Sequence, residues 1–100
     1  MLEEVLIYEV GELHSAREFL NNYRKPVIIT NKDGSTKYYG MLVIDYIFKH
    51  LIEEFPHIVK VIINVSDDNV ALFTSIKLNY KNIIYNGKSK TAKRMILDRI

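Results

Sequence analysis

A short apolar run followed by a longer stretch of helical periodicity recurs four times in this chain of 100 residues. The runs are Val5-Leu6-Ile7-Tyr8, Val27-Ile28-Ile29, Val61-Ile62-Ile63 and Ile83-Ile84-Tyr85. Each is too short for a buried helix and rich in β-branched side chains, which suit a pleated, packed surface. None alternates apolar with polar, so both faces of every strand are expected to be covered. The class is therefore α/β: four βα units making a small, mostly parallel sheet flanked by helices. Such units cross over right-handed, which leaves two architectures, an open doubly wound sheet or half of a βα barrel. A half-barrel leaves one sheet face bare and calls for a partner copy.

The length fits a single α/β domain over 1–100, large enough to bury about 65% of the surface its unfolded form exposes. Hydrophobic residues at 48% and charged residues at 26% are ordinary for a globular protein. The chain has no cysteine, which removes disulfides, thiol chemistry and zinc–thiolate sites together. No apolar run approaches the roughly 20 residues of a membrane span. The acidic start Met1-Leu2-Glu3-Glu4 is unlike a secretory signal, so the expected location is cytoplasmic. The net charge of +2 hides an asymmetry, −3 over residues 1–24 and +6 over residues 77–100. A basic quarter suits either nucleic acid or a plain solvated face. No aromatics interleave with the bases after Tyr85, which disfavours nucleic acid.

The first strand spans about 4–9 and a helix about 12–23, with Leu13, Ala16, Phe19, Leu20 and Tyr23 on one face. Lys25-Pro26 opens the second strand, which ends at Thr30. Residues 31–36 read as a loop on the Asp33-Gly34 turn signal, or as a hairpin with Lys37-Tyr38-Tyr39 returning. A helix over about 39–55 carries the polar stripe Asp45, Lys49, Glu53 and is otherwise mostly apolar. A helix on one sheet face needs only about a third of its circumference apolar. Either a neighbouring helix clasps this one, or Ile44, Ile47, Phe48 and Leu51 form a subunit interface. A strand over 59–65, a helix over 69–80, a strand over 82–85 and a closing helix over 90–100 complete the chain.

Ligands of parallel sheets bind beyond the carboxyl ends of the strands. There, Gly87, Lys88, Ser89 and Lys90 precede a helix and offer backbone N–H groups and cations to a phosphate; a plain turn and N-cap is the simpler reading. The P-loop pattern fails, because residue 82 is Asn where glycine is required. Asp67 and Asp68 are adjacent carboxylates of the kind that hold Mg²⁺, or that cap a helix. His14, His50 and His57 lack metal-ligand spacing, and neither G-x-S-x-G nor G-x-G-x-x-G occurs. No catalytic residue, resident cofactor or metal is assigned.

Tyr39-Gly40 before a long apolar helix, then Phe55-Pro56, then a strand ending Asp67-Asp68, then Ile84-Tyr85-Asn86-Gly87, resembles a family of small bacterial proteins of about this length. That family is typical of alphaproteobacteria and has no assigned function. The resemblance covers about 26–90 and implies a single βα domain, with no catalytic residue to transfer. A second resemblance is to STAS domains, interaction modules of the anti-sigma-antagonist type, whose strand-end turn carries a phosphorylatable serine. Ser66-Asp67-Asp68-Asn69 lacks the serine–glycine part of that turn. The functional expectation is a non-catalytic interaction or scaffolding module that forms a homo-oligomer, through its own copy or another protein. The alternative is a binding or catalytic domain for a phosphorylated metabolite or nucleotide between residues 66–69 and 86–91.

Overall fold

The computed structural model describes residues 4–89. In chain order the elements are β1 (Leu6–Val10), α1 (Leu13–Asn22), β2 (Val27–Asn31), α2 (Ser35–Tyr39), α3 (Met41–Glu54), β3 (Ile58–Ser66), α4 (Asn69–Lys77) and β4 (Ile83–Tyr85). The closing helix expected over 90–100 lies outside the described residues.

All strand pairs are parallel, and the order is β1-β2-β3-β4. A doubly wound sheet needs a reversal of strand order, and this sheet has none. The helices instead form one layer: α3 packs between α1 and α4. This is the strand order of a βα-barrel segment, and it corrects the doubly wound alternative.

Burial follows from that one-sided winding. Val10, Val27, Ile29, Ile63 and Val65 point toward the helices and are buried with Leu20, Phe48, Leu51 and Leu72. Fully burying each such side chain stabilises the fold by about 1.5–3 kcal/mol. The alternate residues do not share this cover. Ile7 is 55% and Ile84 48% exposed. The expectation that both strand faces are covered therefore fails among the described residues, because every crossover runs over the same side.

The α3 arc divides in the same way. Ile44, Phe48 and Leu51 are buried and Ile47 is half-buried, packed into the core with Met41 and Phe55. They are core residues and not an interface; the clasp by α1 and α4 consumes them. The apolar residues that α3 presents to solvent are Leu42, Val43, Tyr46 and Ile52. Asp45 is also inside, at 7% exposure, held by Lys49 at 2.9 Å and by the Tyr80 hydroxyl at 2.5 Å. Burial, reinforced by that carboxylate, pushes the Tyr80 phenol above its ordinary value.

Residues 35–39, expected as loop or returning strand, form α2. Its flanks are Gly34 at φ 82° and Gly40 at φ 86°, both in the region that side chains disfavour. Five helical residues are too few to show a period, which is why the Asp33-Gly34 signal read as a plain loop.

Candidate functional site

The carboxyl ends of β2 and β3 are locked by a polar network. Asn31, 3% exposed, donates to the Asn64 carbonyl at 2.7 Å and to the Ser35 hydroxyl at 2.8 Å. Its side-chain oxygen accepts the Asn64 N–H at 2.7 Å. Backbone pairing of these strands reaches Thr30 opposite Ile62, so the Asn31 amide continues the ladder where the backbones part. Ser66, at φ 52°, ends β3 in a left-handed turn. Three partners hold that conformation. Its N–H donates to Asn64 Oδ1 at 2.9 Å, its hydroxyl accepts the Gly34 N–H at 3.0 Å, and its carbonyl accepts the Asn86 N–H at 2.8 Å. The hydroxyl itself donates to Asp33.

Both aspartates singled out from the sequence are engaged. Asp68 caps α4 by accepting the Ala71 N–H at 3.1 Å, and it accepts the Thr36 hydroxyl at 3.0 Å. Asp67 pairs with Lys37, and that bond holds its carboxyl below the usual carboxylate range and raises the Lys37 ammonium. Together they tie α2 to the β3–α4 turn. No group of three or more metal-ligating side chains occurs among the described residues. His57 Nε2 bonds the Tyr23 carbonyl at 2.7 Å, and Glu54, near His50 in sequence, pairs with Arg17.

The structure brings Gly87, Lys88 and Ser89 near Asn69 through one phenol. Tyr85 donates to Asn69 Oδ1 at 2.6 Å and accepts the Ser89 N–H at 3.3 Å. A Cβ on Gly87 would run into that same ring, so glycine is required here for a close approach within the chain. Lys90 lies outside the described residues.

Two features were missed by motif reasoning. The first is a cavity of about 430 Å³ beyond the carboxyl ends of β1 and β2, under α2. Val10, Ile44, Ile47 and Phe48 form its apolar wall, Tyr38 and Tyr39 its rim, and Asn31, Lys32, Asp33 and Ser35 its polar side. Its residues come from three distant stretches, so no linear motif announces it. The second is the sheet face that none of the described helices covers. Alternation and register place Ile7, Ile28, Ile62 and Ile84 on it, one from each strand, with Glu9, Thr30, Lys60 and Asn64 between them. Ile28 and Ile62 are half-buried; Glu9 and Lys60 are exposed.

No family model and no solved structure matches this chain. The uncharacterized protein RP547 of Rickettsia prowazekii is 53% identical to it over 93 residues, 92% of this chain and 88% of that protein. With 53% identity over nearly its whole length, the chain belongs to the same bacterial family as that rickettsial protein.

Proposed function

We propose that this protein is a non-catalytic interaction module that self-associates by packing its uncovered sheet face against that of a second copy. The observation that carries this reading is the four-isoleucine face on an all-parallel sheet. Parallel sheets occur almost always with both faces covered, because their continuous apolar strands expose too much if one is left open. Here one layer is supplied by α1, α3 and α4. A second copy supplies the other in a two-fold contact, which uses one patch twice. The charges suit such a contact. On this face Glu9 of the edge strand β1 stands opposite Thr30 and Lys60 of β3 opposite Ile28, so a two-fold copy can set each acid against the other's lysine. Two sheets packed in this way lie about 10 Å apart.

Sedimentation equilibrium at rising concentration tests this. The expected result is a mass that climbs from one chain to two in the micromolar range. Ile84→Lys and Ile7→Lys each hold the protein at one chain while its circular dichroism stays native. A single-chain mass at all concentrations refutes the proposal. Dissociation by Leu42→Glu, with no effect of Ile84→Lys, would move the contact to the solvent side of α3.

A further inference from the structure

We infer that the cavity beneath α2 binds a small, uncharged ring molecule that carries an N–H or O–H donor. This goes beyond self-association, since the cavity opens at the carboxyl end of the sheet and the isoleucine face lies across its flat side.

Its volume, about 430 Å³, falls in the range of small-molecule sites, roughly 300–1,000 Å³. Its place follows the rule that ligands of parallel sheets sit beyond the strand ends. The wall made by Ile44, Ile47 and Phe48 is apolar and offers a charge no partner. At the mouth, the Lys32 ammonium and the Asp33 carboxylate are neighbours of opposite sign, so neither net sign is favoured. Aromatic rims at Tyr38 and Tyr39 give flat faces against which a ring stacks.

The polar side specifies the hydrogen-bonding edge. The Asn31 amide is spent on Asn64 and Ser35 and is not free for a ligand. Asp33 gives one oxygen to the Ser66 hydroxyl, and its other oxygen remains as an acceptor. Ser35 accepts from Asn31 at its oxygen, which leaves its own proton to donate. The edge thus presents an acceptor and a donor at the rim of an apolar slot. A ligand donor satisfies Asp33, while its ring displaces water from the wall.

N-phenyl-naphthylamine serves as the probe: it is uncharged, ringed, carries one N–H donor, and brightens in apolar surroundings. The expected result is saturable brightening with one probe per chain. Backbone amide shifts on titration fall at residues 10–11, 31–39 and 44–48. Gly11 lines the cavity with open space where a Cβ would stand, so Gly11→Phe adds a ring at the mouth. It weakens the probe at least tenfold, while Ile84→Lys on the sheet face leaves the affinity unchanged. Loss in Ile84→Lys with retention in Gly11→Phe would mean that the probe reads the sheet face, and would overturn the inference. So would the absence of saturable binding, or amide shifts outside those three stretches. The shift map stands independently of any variant's stability.

Discussion

Replacing Asn31 by alanine isolates the polar clasp between β2 and β3. The change removes three short hydrogen bonds, two to the Asn64 backbone at 2.7 Å and one to Ser35 at 2.8 Å, and a longer one to the Lys32 carbonyl at 3.4 Å. A net hydrogen bond contributes about 1 kcal/mol, and an unpaired buried polar group costs about 1–3 kcal/mol. The Asn64 N–H and carbonyl are the groups at risk, and water reaches them in part at the strand ends. The expected loss is therefore about 2–4 kcal/mol. A domain of this size has some 5–15 kcal/mol in total, so the loss is large. Urea unfolding followed by circular dichroism should show a midpoint lower by roughly 1–2 M at an unchanged slope. In a thermal melt the midpoint drops by roughly 10–25 °C. Asn22, whose amide bonds the Glu18 carbonyl at 2.9 Å on an exposed helix end, is the control. Asn22→Ala should stay within about 0.5 kcal/mol. If Asn31→Ala also stays within that limit, the amide is not a rung of the ladder and the reasoning fails.

Tyr80→Phe should cost about 1.5–3 kcal/mol, because it takes a hydrogen bond from the buried Asp45 carboxylate. Because the folded Tyr80 is raised above its ordinary value, the unfolded chain loses this proton first as pH rises. Its contribution is whole below about pH 10 and fades as pH climbs toward the folded value. Phenolate absorbance in the native protein should show a late-ionising component that is missing from Tyr80→Phe. Gly34→Ala and Gly40→Ala meet open space, so any cost is conformational. Gly40 combines φ 86° with ψ 147°, a region almost reserved for glycine, whereas Gly34 at ψ −6° lies in the ordinary left-handed well. Denaturation should therefore rank Gly40→Ala, at about 1–3 kcal/mol, as the more damaging of the two.

The class and every described element except α2 were legible because β-branched runs and helical spacing are local signals. Val27-Ile28-Ile29 and Phe19-Leu20 announce their states without reference to the rest of the chain. What covers each face is not local. Ile7 and Tyr8 are both apolar, yet one faces open space while the other stacks on Phe19 at 4.1 Å. On α3, Ile44 and Leu42 look alike in sequence, and the clasp by two neighbouring helices makes one core and the other surface. Asp67 and Asp68 stood out as adjacent carboxylates, and the capping alternative holds for Asp68. The partner of Asp67, Lys37, sits on a helix too short to be seen in a periodicity. The cavity was illegible because its walls are assembled by the winding itself.

The sequential strand order has a kinetic consequence. Each strand is hydrogen-bonded to the strand that comes before or after it in the chain, so each pairing closes a loop of one βα unit and no more. Loop-closure entropy rises with the logarithm of loop length, and every loop here is of similar, modest size. Reordered parallel sheets must first bring distant strands together and fold slowly for that reason. This chain can instead begin at any adjacent pair and extend outward, one unit at a time. The side-chain bonds between Asn31 and Asn64 and between Thr36 and Asp68 then act as late fasteners on an order already set.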